Sequence, residues 1–110
     1  MKIAITGSNG FVGSYAVRHF SEKHEIIAFQ RQRNTIQENI IYKKWDLREP
    51  YGNTFFDCDI FIHAAADTGY EKTKNKMIQQ NVISNQNILK IVNDSHCKHF
   101  IYISSSSVYQ

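Results

Sequence analysis

Short apolar runs alternate along the chain with segments of helical spacing. The runs are continuous rather than alternately apolar and polar, and β-branched residues are frequent in them. That pattern is typical of strands in a parallel sheet whose two faces are both covered. It predicts five strands, at Lys2 to Thr6, Glu25 to Phe29, Ile40 to Tyr42, Asp59 to Ile62 and Phe100 to Ile103.

Two of the segments between these strands have helical spacing. Because strands and helices alternate, the pattern predicts βαβ units and an α/β fold with a doubly wound parallel sheet. In residues 10–20 one predicted helix face contains Val12, Tyr15, Ala16 and Phe20, and residues 73–92 have apolar residues at Met77, Val82, Ile88, Leu89 and Val92.

Composition and charge narrow the class of protein. With 110 residues, 42% hydrophobic and 21% charged, the chain is expected to be one globular domain or part of one. The run Ile3 to Ile5 is too short for a signal peptide, and no stretch has the length of a membrane span. Cys58 and Cys97 form neither a CxxC motif nor a disulfide framework, so reduced thiols and a cytoplasmic location are expected. The net charge of +3 suits an anionic ligand but falls short of a nucleic-acid signature.

The most informative segment is Thr6-Gly7-Ser8-Asn9-Gly10-Phe11-Val12-Gly13, which leaves the first strand and begins the first helix. In that context Gly7 permits a tight turn, Gly10 allows a pyrophosphate to approach the backbone, and Gly13 allows close packing of helix and sheet. Phosphates would then meet N–H groups at the helix N-terminus. No Lys-[Ser/Thr] pair follows the last glycine, which excludes a P-loop. The alternative is a glycine turn needed only for packing.

Four motifs and the segment that contains Asn81 together resemble the extended short-chain dehydrogenase/reductase superfamily, also called the NAD-dependent epimerase/dehydratase family. TGSNGFVG resembles its TGxxGxxG motif, and Phe11 excludes the TGxxxGxG spacing of the shorter branch. Further matches are Trp45-Asp46-Leu47 to the xDL motif, Ile62 to Ala66 to the HxAA motif, Ile103 to Tyr109 to the SSxxVYG motif, and Asn81 to the NVxGTxNLL helix.

The resemblance implies a Rossmann fold with strand order 3-2-1-4-5, of which residues 1–110 would be the N-terminal part. It also implies a nicotinamide dinucleotide cofactor, a small-molecule substrate such as a nucleotide-sugar, and a homodimer for the full-length protein. Neither a nucleic acid, a membrane nor a metal is expected as a partner. Together with the two arginines considered next, the predicted cofactor-binding residues are Gly7, Ser8, Asn9, Gly10, Phe11, Val12, Gly13, Arg31, Arg33, Asp46, Leu47, Ala64, Ala65, Ala66 and Asn81.

The end of the second strand bears on the choice of dinucleotide. An acidic residue there selects NAD through the ribose hydroxyls, but Phe29 to Arg33 contains no carboxylate. It contains Arg31 and Arg33, whose guanidinium groups pair well with a 2′-phosphate. The sequence therefore predicts a preference for NADP over NAD. The alternative is that both arginines are solvated loop charges.

The serine strip after the fifth strand is the candidate for catalysis. In the family a serine or threonine four positions before the tyrosine of VYG holds the reacting oxygen, which points to Ser105, with Ser106 as the second choice. The alternative is that these serines only cap the strand. The family's proton-donating YxxxK pair follows this strip. Tyr70 to Lys74 also has the YxxxK pattern, but it lies before the serine strip. We therefore expect this chain to be the first third to half of a larger enzyme.

Two further hypotheses remain at this stage. The chain could belong to a non-catalytic dinucleotide-sensing regulator on the same fold, or it could associate with partners through an uncovered sheet edge. His96-Cys97-Lys98-His99 suggests a metal site only weakly, because no second ligand pair lies at suitable spacing. His63 could be a base, but it is better interpreted as a residue packed at the end of a strand.

Overall fold

A computed structural model describes residues 1–8, 10–30, 35–37, 39–47, 57–64 and 74–103. Within this part of the chain, strands and helices alternate much as the apolar pattern predicts. The elements in chain order are β1 (Lys2–Thr6), α1 (Phe11–Phe20), β2 (Glu25–Gln30), β3 (Thr35–Gln37), β4 (Ile40–Lys44), β5 (Asp57–His63), α2 (Lys74–Asp94) and β6 (His96–Tyr102).

The strands form one sheet in the order β3-β4-β2-β1-β5-β6. Within the series β4, β2, β1, β5 and β6 every neighbouring pair is parallel, which confirms the predicted Rossmann order 3-2-1-4-5 for the five predicted strands. β3 is an addition that pairs antiparallel with β4 at one edge. Its sequence Thr-Ile-Gln has a single apolar residue, so the hydrophobic pattern could not indicate it.

The predicted bounds of β5 and β6 were too short at their N-terminal ends. The two strands already pair at Asp57 and His96, ahead of the apolar runs from which they were predicted. Backbone hydrogen bonds hold this polar beginning in the sheet, and a pattern of apolar side chains does not report them.

The core lies in two layers, one on each face of the sheet. On one face Ala4, Phe29 and Phe61 pack with Ile88 of α2. On the other face the cluster that includes Val17 of α1 is formed with Ile3, Ile5, Ile26, Ala28 and Ile62. The central strand β1 therefore contributes alternate residues to both layers, as expected for a sheet covered on both sides.

The predicted face of α1 was partly wrong. Val12 and Tyr15 are 45% and 65% exposed, whereas Gly13 and Val17 are the buried residues of the helix. α1 contacts the sheet through its glycine, because the absence of a side chain there lets the two backbones approach closely. Neither described helix combines the length and the apolar character needed to cross a membrane.

Candidate functional site

The turn between β1 and α1 is shaped by its first glycine. Gly7 has a φ of 67°, in the left-handed region that side chains other than glycine rarely adopt. The Gly10 N–H donates to the Gly7 carbonyl at 2.9 Å, which closes the turn directly after the strand. The chain thereby reverses at the carboxyl end of β1, near the centre of the sheet.

Gly13 brings α1 against this turn. A Cβ atom at this position would stand 1.9 Å from the Gly7 carbonyl oxygen and 2.6 Å from its carbonyl carbon. Any side chain would therefore displace the helix from the turn. At Gly10 a Cβ would meet the same oxygen at 3.3 Å, a tight but tolerable contact.

The N-terminus of α1 presents its backbone N–H groups at this turn. Its N-cap is Gly10, no side-chain hydrogen bond caps it, and its first turn contains no acidic residue. Phe11 is 95% exposed and Val12 is also exposed. Because the first N–H groups of a helix have no partner within the helix, this end favours an anion.

The side chain of Ser8 connects the glycine turn to β2. Its side chain is buried, and its hydroxyl donates to the carbonyl of Phe29, near the end of β2, at 3.0 Å. The hydroxyl of this predicted cofactor residue is thus directed to the protein, and it fixes the glycine turn to the neighbouring strand.

The carboxyl end of β4 lies beside that of β2, at the same end of the sheet as the glycine turn. The Trp45 N–H donates to the Gln30 carbonyl at 2.7 Å, which continues the pairing of β4 with β2 past the last strand residue. The side chain of Asn87, on α2, donates to the Leu47 carbonyl at 2.8 Å. Asp46 and Leu47 are half-buried, and Leu47 packs against the core.

A buried hydrogen-bond chain joins the ends of β1 and β5 to α2. His63 Nε2 lies 2.9 Å from Asn85 Oδ1, an oxygen that can only accept, so this nitrogen donates. His63 Nδ1 is then the acceptor for the Thr6 hydroxyl at 2.7 Å. The Ala64 N–H donates to Thr6 Oγ1 at 3.1 Å. The contacts thereby define one tautomer of a neutral imidazole.

The ionisation of His63 fits this arrangement. Burial lowers the pKa of the imidazole below its ordinary value, and the hydrogen bond with Asn85 opposes that shift only in part. The ring is 2% exposed and lies beside the ring of Tyr102. His63 is thus the packed strand-end residue that the sequence suggested, with the added property that it connects three elements.

The structure brings the described part of the predicted site together at the carboxyl ends of the parallel strands. The glycine turn, Asp46, Leu47 and Ala64 follow the carboxyl ends of three parallel strands, and Asn81 lies on α2 one turn before Asn85. The Ile103 N–H donates to the His63 carbonyl at 3.1 Å, so the chain still lies beside β5 at Ile103. The predicted residues outside the described part are Asn9, Arg31, Arg33, Ala65, Ala66, Ser105 and its alternative Ser106.

Sequence reasoning did not assign roles to Thr6 and Asn85. The strand order predicts that β1 and β5 are neighbours, so the pairing of Thr6 with His63 at their ends could have been foreseen. Asn85 could not, because the rotation of α2 about its axis depends on packing. Among the described residues, no group of three His, Cys, Asp or Glu side chains could hold a metal ion.

Comparison with known proteins finds a family that matches this chain. The model of the NAD dependent epimerase/dehydratase family matches residues 3–110. The Protein CapI of Staphylococcus aureus is 28% identical over 99% of this chain and 39% of its own length.

Solved structures share the fold. A UDP-galactose 4-epimerase superposes with a TM-score of 0.82 at 23% identity, over 99% of this chain and 40% of that one. A UDP-glucuronic acid 4-epimerase from Bacillus cereus, in complex with a fluorinated UDP-sugar and NAD, gives a TM-score of 0.76 at 22% identity, over 99% and 41%. The chain therefore spans about two fifths of the length of these relatives.

Proposed function

This chain belongs to the NAD dependent epimerase/dehydratase family, and from that premise we propose that residues 1–110 are the N-terminal part of the dinucleotide-binding domain of a cytoplasmic enzyme. The enzyme transfers a hydride between the nicotinamide and a hydroxyl or carbonyl carbon, in an epimerase, dehydratase or reductase reaction. Its substrate is a nucleotide-sugar or a related carbonyl compound. The UDP-sugar and NAD bound by the relative from Bacillus cereus support this substrate and cofactor class.

The glycine turn carries the proposal. Gly7 is in the left-handed conformation, Gly13 excludes any side chain, and the uncapped α1 N-terminus is open at Gly10 and Phe11. A dinucleotide pyrophosphate needs such a close, electropositive backbone, so these residues fit the group. The bound nicotinamide supplies the hydride chemistry, and the protein binds and orients it.

We assign one end of the site to the adenine and the other end to the nicotinamide. Asp46 and Leu47, fixed by Trp45 and Asn87, flank the adenine. At the other end, the Thr6 hydroxyl fixes the Ala64 amide at the start of the segment that lines the path to the nicotinamide. We assign Ala65, Ala66 and Asn81 to cofactor binding as well, and the Ser105 hydroxyl to holding the reacting oxygen.

Replacing Gly10 by Ala tests the position of the phosphates. Gly10 has φ −78° and ψ 174°, which any residue adopts, and among the described residues the new Cβ would contact only the Gly7 oxygen. We expect Gly10→Ala to retain the thermal midpoint within a few degrees and to weaken dinucleotide binding about tenfold or more in calorimetric titration. Tyr15→Ala, at an exposed position on α1, is the matched control and should bind normally. Equal affinity in Gly10→Ala and the unmodified chain would contradict the assigned phosphate position.

The preference for NADP rests on Arg31 and Arg33. Replacing Arg31 by Ala should weaken NADP binding more than NAD binding, because the substitution removes a guanidinium that pairs with the 2′-phosphate. Titrating both dinucleotides into both proteins gives the ratio of affinities. An unchanged ratio would remove the preference for NADP while leaving dinucleotide binding itself in place.

A further inference from the structure

The two cysteines of the chain meet across neighbouring strands. Cys58 and Cys97 are register partners in the parallel pair β5 and β6, each one residue after the first residue of its strand. Both thiols are free. Cys58 belongs to the core cluster beneath α2 and Cys97 packs against that cluster, so the two side chains lie on the same side of the sheet.

The geometry suits a covalent bond between them. Neighbouring strands lie about 4.8 Å apart, within the Cα separation of about 4.4 to 6.8 Å that disulfides span. The two thiols lie close enough for Cys97 to contribute to the raised pKa of Cys58. The Cys97 thiol proton is directed to the His99 carbonyl at 3.0 Å, so the Cys97 sulfur is available as the acceptor for Cys58.

We propose that Cys58 and Cys97 form a reversible cross-strand disulfide when the protein meets a small-molecule disulfide oxidant such as glutathione disulfide. The Cys97 thiolate attacks one sulfur of the oxidant, forms a mixed disulfide and releases one thiol. Cys58 then attacks the Cys97 sulfur and releases the second thiol. The protein loses two electrons and two protons, and the oxidant is reduced to two thiols.

The environments of the two cysteines set this order. Cys97 is half-exposed, whereas Cys58 is buried. Burial, and secondly the hydrogen bond and charge of Cys97, raise the pKa of the Cys58 thiol to about 12. The thiolate is the reactive form, so Cys58 is protected from external reagents. Once Cys97 is in the mixed disulfide, its sulfur lies beside Cys58 in the strand register, so the second attack is intramolecular and needs no external reagent to reach Cys58.

The bond should be easily reduced. Side chains at opposite positions of a parallel pair stand nearly parallel, whereas a relaxed disulfide needs Cβ atoms about 3.8 Å apart. The resulting strain favours reduction, as in disulfides that act as redox sensors within reducing compartments. Because the cysteines lie at the opposite ends of β5 and β6 from His63 and Tyr102, dinucleotide binding should be unaffected.

Mass spectrometry of the oxidised protein tests the proposal. After treatment with glutathione disulfide and quenching in acid, we expect no free thiol. A non-reducing tryptic digest should contain residues 49–72 linked to residues 91–98, lighter than the two peptides by two hydrogens. Reduced glutathione should restore both thiols. The oxidised protein should also have a higher urea midpoint than the reduced one.

Three variants make the result specific. In Cys58→Ser, Cys97 should carry one glutathione, and in Cys97→Ser the native protein should carry none because Cys58 is buried. The double substitution C97S/K98C retains two thiols, but Lys98 is an exposed side chain that reaches Asp59 at 3.4 Å rather than Cys58, so no linked peptide should form. A stable glutathione adduct on Cys97 of the unmodified protein, a disulfide between two chains, or equal linking in C97S/K98C would overturn the proposal.

Discussion

At the scale of single residues, the buried Thr6 hydroxyl has two partners, the buried His63 Nδ1 and the half-buried Ala64 N–H. Thr6→Val preserves the shape of the side chain and leaves both partners unsatisfied, which costs about 1–3 kcal/mol for each group. We expect the free energy of unfolding to fall by about 2 kcal/mol or more in urea titrations. Thr6→Ser keeps the hydroxyl and loses one methyl group, worth about 1 kcal/mol. Equal losses in the two variants would contradict the role of the hydroxyl.

His63 should make stability depend on pH. Its folded pKa is lowered by burial, so below the ordinary value of 6.5 the unfolded chain takes up a proton that the folded protein refuses. Stability contributed by the neutral ring is therefore complete above about pH 6.5 and falls as the pH drops below it. We expect a smaller loss of the urea midpoint between about pH 7.5 and 5.5 in His63→Gln than in the unmodified protein.

Asn85→Ala separates titration from hydrogen bonding in this chain of contacts. It removes the acceptor of His63 Nε2 but leaves the ring buried, so the variant should be less stable at both pH values and should keep the pH dependence. If His63→Gln retained the full pH dependence, the buried imidazole would not be its source.

The sequence predicted the backbone part of the site better than its side-chain contacts. Glycine spacing after a strand reports backbone geometry directly, and Gly7 and Gly13 have the conformation and the close approach that the pattern requires. The inward direction of the Ser8 hydroxyl and the bond from Asn85 depend on which side chains face each other across elements. The pattern of residue types along the chain does not indicate which side chains face each other across elements.

At the scale of elements, the packing of α1 depends on one glycine. Gly13→Ala places a methyl group 1.9 Å from the Gly7 oxygen, so the helix or the turn must move. We expect a loss of about 2–3 kcal/mol in the free energy of unfolding, the range of overpacked cores. Gly10→Ala is the control: its Cβ contact of 3.3 Å is tolerable, and the poorer N-cap predicts a smaller loss of about 0.5–1 kcal/mol in the free energy of unfolding. Similar losses in both variants would show that the close approach at Gly13 does not determine stability.

The elements that the sequence misjudged share a physical cause. Hydrophobic periodicity weighs side chains, so it placed Val12 and Tyr15 on the buried face of α1 and could not register that Gly13 lets the helix approach the sheet. It also missed β3 and the polar beginning of β6, which contain few apolar residues but pair with a neighbouring strand. The continuous apolar run of β1 was predicted with its observed bounds, and that of β2 one residue short at its end.

At the scale of the whole molecule, the two core layers bury the centre of the described sheet more fully than its β6 edge. The centre of the sheet is buried on both faces, whereas β6 at one edge of the described sheet is largely exposed, with Ile101 and Tyr102 43% and 50% accessible. Beside it, a groove of about 570 Å³ lies between α2 and β6, lined by Leu89, Lys90, Val92, Asn93 and Phe100. Apolar surface and strand edge thus coincide on one side of the molecule.

That coincidence predicts self-association of the 110-residue polypeptide, because an exposed apolar edge strand pairs readily with another chain. In sedimentation velocity runs its average mass should rise with concentration. Ile101→Lys places a charge on the edge strand and should shift the polypeptide towards the monomer, as charged edge residues do in natural sheets. Tyr15→Lys removes an exposed aromatic side chain from α1, away from the edge, and should associate like the unmodified polypeptide. A polypeptide that stays monomeric at every concentration, or an equal effect of the two lysines, would show that the β6 edge does not mediate association.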